Sequence, residues 1–131
     1  YAPLEEFYST IGGDPVINYP NNVIEIRLAD VYLMEAEALV RGNGDLSKAQ
    51  QYLDAVRARV GLPSIPATLD NIYNERRLEL ATEGHRFFDL VRTGKAATVL
   101  APKGFTPNKN EILPIPLAEL NNTKLVQNPG Y

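Results

Sequence analysis

The sequence of 131 residues contains no cysteine, no tryptophan and a single histidine, His85. The lack of cysteine excludes disulfide bonds, thiol nucleophiles and cysteine-ligated metal sites within these residues. One imidazole also excludes any site that needs two histidine ligands. No run of about 18 apolar residues occurs, so the sequence predicts no membrane-spanning helix.

The sequence also lacks a large excess of charge of either sign. Thirteen basic residues face sixteen acidic ones, which gives a formal net charge of −3. This near-balance provides no electrostatic reason to bind nucleic acid or an anionic membrane surface, and we expect no nucleic-acid partner. The length predicts one domain, since domains usually contain about 100–200 residues.

The chain begins at Tyr1 without an initiator methionine and shows no signal or targeting segment. We expect it to be a piece of a longer protein. Segment 1–22 is rich in proline, glycine and asparagine, and we predict that it is irregular. Its residues Tyr8 and Tyr19 are candidates for stacking against sugar rings, although anchoring of the segment onto the helices is the favoured interpretation.

Prolines separate two proline-free stretches, 21–62 and 67–101, in which helices can form because an internal proline costs about 3 kcal/mol. The first stretch predicts helices over 26–41 and 46–60, joined by a turn whose last residue, Asp45, caps the second helix. Apolar residues recur on one face of that second helix: Ala49, Tyr52, Leu53, Val56 and Val60. The two helices are therefore predicted to form a hairpin.

The second stretch predicts helices over 69–83 and 86–93, each followed by a glycine that ends it. Segment 96–110 is predicted to be a loop, and a last short helix is predicted over 117–121. The inward-facing residues of the 86–93 helix would be Phe87, Leu90 and Val91. Together the elements predict an all-α domain with long irregular loops.

The charged residues of segment 70–95 occur in a pattern that indicates burial. Five acidic and five basic residues balance there, and a helical projection places Arg76 and Glu83 in the same stripe as Ile72 and Leu80. Burial of an ion costs several kcal/mol unless it is paired and hydrogen-bonded. We therefore predict a structural ion-pair network that comprises Arg76, Arg77, Glu79, Glu83, Arg86, Asp89 and Arg92.

Catalytic interpretations of the same residues are less favoured. Glu79 and Glu83 share a helix face and could form the acid–base pair of a glycosidase. Neighbouring arginines lower a carboxyl pKa, however, whereas a general acid needs a raised pKa. For His85, a structural or solvent-facing role is favoured over metal binding or base catalysis. We predict an enzymatically inactive chain with no catalytic residue, cofactor or metal site.

The predicted hairpin has the spacing of a tetratricopeptide repeat. Small and large apolar residues alternate as in that repeat at Ala36, Leu39, Ala49, Leu53 and Val56. One such hairpin cannot bury both of its faces, and repeat arrays need about three units for stability. Either the other helices of this chain replace the neighbouring repeats, or those repeats lie upstream of Tyr1.

Five runs of residues carry a more specific signal. They are R-L-A-D-V-Y-L-M-E-A-E-A from Arg27, V-R-A-R-V-G-L-P from Val56, E-R-R-L-E-L-A-T-E-G-H-R-F-F-D-L-V-R-T-G-K from Glu75, L-P-I-P from Leu113 and Q-N-P-G-Y from Gln127. In this order they resemble the C-terminal part of the SusD/RagB family, the surface glycan-binding lipoproteins of Bacteroidetes. The resemblance covers residues 23–131, which we expect to form one SusD/RagB-like helical domain.

The resemblance implies a mostly helical protein that binds oligosaccharides or polysaccharides without hydrolysing them. It implies a SusC-like TonB-dependent transporter as partner, and a position on the surface of the outer membrane. Membrane association would come only through a lipidated N-terminal cysteine, which we expect upstream of Tyr1. Glycan contacts in the family come mainly from loops upstream of this region, so the resemblance assigns no glycan-binding residue here.

The leading interpretation is a non-catalytic part of a glycan-binding protein that captures oligosaccharides for uptake. The alternative is a tetratricopeptide-like protein–protein interaction module without direct glycan contact. The exposure of Leu28, Tyr32 and Leu39 discriminates between the two, because an open groove at these residues would favour the interaction module.

Overall fold

The computed structural model describes residues 24–121 and 123–131. Its helices are α1 (Leu28–Arg41), α2 (Leu46–Ala58), α3 (Leu69–Glu79), α4 (His85–Arg92), α5 (Ala96–Leu100) and α6 (Leu117–Leu120), with a 3₁₀ turn at Ala101–Lys103. The described residues contain no β-strand, so the predicted all-α fold class is confirmed. Among them, no helix is both long and apolar enough to cross a membrane. The predicted irregular segment 1–22 lies outside the described residues.

Helices α1 and α2 form the predicted hairpin, and α3 packs against α1. The Asp45 side chain caps α2 by accepting a hydrogen bond from the backbone N–H of Lys48 at 3.0 Å. The rings of Tyr32 and Tyr52 stack between the two helices, with centroids 5.1 Å apart. The main core comprises residues that are each at most 3% exposed: Leu33, Ala36, Ala49, Leu53, Val56 and Ile72.

The prediction that Val60 faces inward is wrong. Helix α2 ends at Ala58, so Val60 lies in the following turn and is 50% exposed. The N–H of Leu62 donates to the carbonyl oxygen of Arg57, which closes the helix end with Gly61 in the left-handed region at φ +72°.

Helix α3 also ends earlier than predicted, at Glu79 instead of residue 83. The carbonyl oxygen of Glu79 accepts a hydrogen bond from the guanidinium of Arg27, so a group outside the helix satisfies this last-turn acceptor. Thr82 and Gly84 then adopt φ values of +74° and +81°, which are incompatible with a continuing right-handed helix. The interaction with Arg27 is remote in sequence, which is why local patterning did not predict this boundary.

Helices α4 and α5 add a smaller buried layer beside α3. Leu80, Leu90 and Ala96 are each at most 3% exposed. Of the three predicted inward residues of α4, Leu90 is buried, whereas Phe87 and Val91 are partly exposed. The predicted loop over 96–110 is wrong in its first part, because the alanine-rich start of that segment forms α5 and buries Ala96.

The C-terminal tail returns to segment 112–116, the extended segment that precedes α6. The side-chain amide of Gln127 accepts a hydrogen bond from the N–H of Ile115 at 2.8 Å and donates to its carbonyl oxygen at 2.9 Å. The hydroxyl of Tyr131 donates to the carbonyl oxygen of Ile112 at 3.0 Å. Side-chain hydrogen bonds therefore hold this extended segment in place without a strand partner.

Candidate functional site

Arg76 of α3 joins three helices through two carboxylates. Its Nη1 atom lies 2.7 Å from Oδ1 of Asp30 in α1, and its Nε atom lies 3.2 Å from Oδ2 of Asp89 in α4. The side chains of Arg76 and Asp30 are 4% and 5% exposed. Buried charges of this kind are stable only when they are paired and hydrogen-bonded, and both conditions are met here.

A second ion-paired centre lies beside the first. Arg92 of α4 contacts both carboxylate oxygens of Glu37 in α1, at 2.6 and 2.8 Å, and also Oδ1 of Asp89 at 2.7 Å. Arg41 approaches Glu37 from the same helix at 2.9 Å. The interhelical ion-pair network, defined as Asp30, Glu37, Arg76, Asp89 and Arg92, therefore connects α1, α3 and α4.

The arginines around Glu37 determine the direction in which its pKa is shifted. Burial alone would raise the pKa of Glu37, but the hydrogen bond from Arg92 and the positive charges of Arg92, Arg41 and Arg76 outweigh it. The pKa of Glu37 therefore lies below its usual value. The hydrogen bond from Arg92 to Glu37 in turn outweighs desolvation and raises the pKa of Arg92.

The Arg27 cluster, defined as Arg27, Arg59, Glu79 and Glu83, holds the end of α3. The Nη1 atom of Arg27 lies 2.6 Å from Oε1 of Glu79, and its Nη2 atom lies 2.8 Å from Oε1 of Glu83. Arg59 reaches the same oxygen of Glu79 at 2.8 Å. Arg27 hydrogen-bonds Glu83 and holds the pKa of that carboxyl below its usual range.

A separate ion pair joins α2 and α3. Nη1 of Arg57 lies 2.5 Å from Oε2 of Glu75, and both side chains are almost fully buried. Arg57 also donates from Nε to the carbonyl oxygen of Pro63 at 2.8 Å. Each of the two hairpin helices, α1 and α2, is thus linked to α3 by at least one arginine–carboxylate pair.

The structure places five of the seven predicted network residues in ion pairs: Arg76, Glu79, Glu83, Asp89 and Arg92. Arg77 and Arg86 differ from the prediction. Both are exposed, and neither forms an ion pair within residues 24–121 and 123–131. On a helix, adjacent residues lie about 100° apart, so Arg77 cannot share the buried direction of Arg76. Tyr8 and Tyr19 lie outside the described residues.

Sequence reasoning missed the partners that α1 supplies. Asp30, Leu33 and Glu37 occupy positions i, i+3 and i+7, so two carboxylates lie in the same stripe as a core leucine. The same logic that singled out Arg76 would have identified them. For Arg27 no local signal exists, because it precedes α1 and its partners lie more than fifty residues away.

The arrangement does not suit the acid–base pair of a glycosidase. Glu79 and Glu83 are both held by Arg27, and a lowered pKa keeps Glu83 ionised where a glycosidase needs a protonated general acid. His85 is partly exposed at the start of α4. In the described part of the chain, no group of three or more histidine, aspartate or glutamate residues could hold a metal ion.

Residues of α4 line several cavities, and two of these cavities include at least three α4 residues each. One, of about 370 Å³, is lined by Arg77, His85 and Arg86 together with the turn that follows α3. The other, of about 340 Å³, is lined by Phe87, Phe88 and further residues of α4, together with Glu111 and Leu113. Both volumes lie at the lower end of the range of small-ligand sites, about 300–1,000 Å³.

Comparison with known proteins identifies the family to which these features correspond. The model of the SusD family matches residues 9–109. SusD-like protein P25 of Formosa agariphila is 39% identical over 92% of this chain and 27% of its own length. The starch-binding protein SusD of Bacteroides thetaiotaomicron is 33% identical over 91% of this chain and 24% of its own length.

Solved structures are similar in both sequence and fold. A laminarin binding SusD-like protein is 62% identical with a TM-score of 0.82, over 98% of this chain and 27% of that one. Surface glycan-binding protein A from Bacteroides thetaiotaomicron, in complex with laminarihexaose, is 43% identical with a TM-score of 0.76, over 85% of this chain and 26% of that one. This chain spans about a quarter of the length of the curated relatives that it matches.

Proposed function

Because this chain belongs to the SusD family, we propose that it is a non-catalytic part of a cell-surface glycan-binding protein that captures oligosaccharides for uptake. The partner that receives the oligosaccharide is a SusC-like TonB-dependent transporter in the outer membrane. The observation that carries the proposal is the 62% identity to a laminarin binding SusD-like protein over 98% of this chain. On the same basis, laminarin is the proposed glycan class.

The geometry of the described residues supports a scaffold role in that protein. The interhelical ion-pair network holds α1, α3 and α4 against one another, because each of its carboxylates lies within hydrogen-bond distance of an arginine. These residues therefore contribute rigidity to the scaffold. A rigid scaffold suits a binding protein, since pre-organised binding loops lose less entropy when the ligand binds.

Isothermal titration of a full-length protein that contains this chain, against laminarin, starch and other polysaccharides, tests the proposal. Saturable binding of laminarin, together with transporter recovery when the protein is purified from detergent-solubilised membranes, is expected. Failure to bind any of the polysaccharides, together with failure to recover a transporter, would overturn it. A mannan that the protein does not bind serves as the control for non-specific association.

One observation favours the tetratricopeptide-like interaction module as a second candidate. Leu28, Val31 and Met34 of α1 are 62%, 44% and 43% exposed, so α1 has an apolar strip on its outer side. Tyr32 and Leu39, however, are partly buried against the core. Only one of the three discriminating residues, Leu28, is therefore open in the described residues, and their exposure in the complete protein decides between the two candidates.

The two candidates differ in their response to a change on α1. Val31→Asp, on the exposed strip, should leave laminarin affinity unchanged under the leading proposal. Loss of a co-purified protein partner, with unchanged laminarin affinity, would favour the interaction module. Gln51→Asp, at an exposed neutral position of α2, is the control for one added negative charge.

A further inference from the structure

Arg77 of α3 and Arg86 of α4 lie beside each other on the surface. Both line the cavity of about 370 Å³, and both also line a smaller neighbouring cavity of about 150 Å³. Both residues are exposed, and neither forms an ion pair among the described residues. The two cavities therefore share a wall that contains two guanidinium groups, each of which carries five N–H donors.

The carboxylates of the two cavities are already held by other cations. Asp89 lines the larger cavity, but Arg76 and Arg92 approach it at 3.2 and 2.7 Å. Asp70 lines the smaller cavity, but Nζ of Lys95 lies 2.7 Å from its Oδ1 atom. Each cavity is lined by three basic side chains and one acidic side chain, apart from histidine, so two positive charges are left unbalanced in each.

Tyr73, the tyrosine of the smaller cavity, does not offer the open ring face against which a neutral sugar stacks. Nζ of Lys95 lies 4.9 Å from the centre of its ring, and the guanidinium carbon of Arg41 lies 5.8 Å from it. Cations therefore already interact with this aromatic ring. An uncharged sugar would also leave the two arginines without a counter-charge, so the site favours an anionic ligand.

A tetrahedral oxyanion suits this pair of arginines. Guanidinium groups bind such oxyanions through parallel N–H···O bonds, and two arginines balance the charge of a dianion. Thr82 adds a hydroxyl to the larger cavity, and Asn74 adds an amide to the smaller one. The larger cavity exceeds the size of a sulfate or phosphate group, so it also has room for a sugar ring that carries one.

We propose that Arg77 and Arg86 form a binding site for a tetrahedral oxyanion, which is either a free sulfate or phosphate ion or the sulfate ester of a sugar. The site differs from the interhelical ion-pair network, whose arginines are neutralised by carboxylates of the chain itself. It is also independent of laminarin capture, because an uncharged glucan provides no oxyanion.

Isothermal titration of a SusD-length polypeptide that contains this chain tests the proposal. The probes are sodium sulfate, sodium phosphate and glucose 6-sulfate at constant ionic strength, with glucose as the uncharged control. We expect saturable binding of at least one oxyanion with a Kd of about 1 mM or lower. Tighter binding of glucose 6-sulfate than of both free ions would identify the sulfate ester as the ligand, and the reverse order would identify the free ion.

Arg77→Gln and Arg86→Gln should each weaken oxyanion binding by at least about tenfold, since each removes charge-assisted hydrogen bonds to the ligand. Lys124→Gln is the matched control. It also removes one positive charge, at an exposed position outside the two cavities, and should keep the wild-type affinity. Circular dichroism of each variant establishes that the fold is intact.

Three results would overturn the proposal. The first is the absence of binding for all three oxyanions, and the second is an affinity that the two arginine variants share with the wild type. The third is binding of glucose as tight as that of glucose 6-sulfate, which would indicate a neutral sugar contact. A lower urea midpoint for both arginine variants, without oxyanion binding by the wild type, would replace the proposal with ion pairs to carboxylates elsewhere in the polypeptide.

Titration of the same samples with laminarin separates this proposal from the proposed function. Laminarin binding without oxyanion binding would contradict only the Arg77–Arg86 site. Oxyanion binding without binding of laminarin or any other polysaccharide would support the site and contradict only the role in glycan capture.

Discussion

The Nη1 atom of Arg76 lies 2.7 Å from Oδ1 of Asp30, although 46 residues separate the two in the sequence. Both side chains are at most 5% exposed, so this pair is almost completely removed from water. The cost of burying either charge alone makes the position of each residue depend on the other. We therefore expect the contact to help set the position of α3 on α1.

Replacement of Arg76 should be strongly destabilising. Arg76→Met leaves Asp30 buried without its counter-ion, and we expect the free energy of unfolding to fall by about 3–5 kcal/mol. Urea denaturation followed by circular dichroism measures the change. Arg77→Met, one residue further along the helix and exposed, should change it by no more than about 0.5 kcal/mol. Equal effects of the two variants would contradict the assignment of Arg76 to a buried pair.

Stability should decrease in acid partly through Glu37. Because the folded-state pKa of Glu37 lies below its usual value of 4.5, the unfolded state binds a proton more readily than the folded state. The contribution is therefore complete above the unfolded pKa and is lost as the pH falls through the folded one. The free energy of unfolding, measured between about pH 6 and pH 3, should decrease less steeply for Glu37→Gln than for the wild type. A slope for Glu37→Gln equal to that of the wild type would argue against the prediction. Glu119→Gln, at an exposed position, is the control and should keep the wild-type slope.

Glu79 should affect stability and not turnover. Its Oε1 atom lies 2.6 Å from Arg27 and 2.8 Å from Arg59, so Glu79→Gln weakens two charge-assisted contacts. We expect a loss of about 1.5–3 kcal/mol in the free energy of unfolding. Reducing-end assays on laminarin should give the same background for the variant and the wild type. Hydrolysis by the wild type that Glu79→Gln abolishes, with the fold intact, would revive the glycosidase interpretation.

The hairpin core should be sensitive to loss of volume. Leu33 of α1 is fully buried in the main core, so Leu33→Ala should lower the free energy of unfolding by about 2–5 kcal/mol. Met34, the next residue, is 43% exposed, and Met34→Ala should cost much less. Thermal denaturation of both variants compares them directly, and a Met34→Ala effect as large as that of Leu33→Ala would show that α1 is rotated from the described orientation.

The sequence correctly predicted the features that depend only on residues close together in the chain. Asp45 caps α2, and the stripe with Ile72 and Leu80 placed Arg76 in a buried position. The end of α3 could not be predicted in the same way, because it depends on Arg27, which donates to the Glu79 carbonyl from 52 residues away. The alanines at the start of segment 96–110 favour α5, a local signal that the prediction of a loop did not use.

The candidate site also contains features that one helix determines and features that depend on contacts between helices. A projection of α3 identifies which arginine is buried, and it could have excluded Arg77, which points in another direction from Arg76. The partners Asp30 and Glu37 carry a weaker signal, as carboxylates in the apolar stripe of α1. The pairing itself depends on how α1, α3 and α4 pack, and no spacing within one helix specifies that packing.

Native mass spectrometry of a SusD-length polypeptide that contains this chain, incubated with laminarihexaose, tests the central claim most directly, because it reports binding and cleavage of the glycan in one spectrum. We predict a complex whose mass equals that of the protein plus one intact laminarihexaose, with no shorter oligosaccharide formed during prolonged incubation. Shorter products would contradict the non-catalytic role. No complex with laminarihexaose or with oligosaccharides of any other tested glycan would contradict the role in glycan capture.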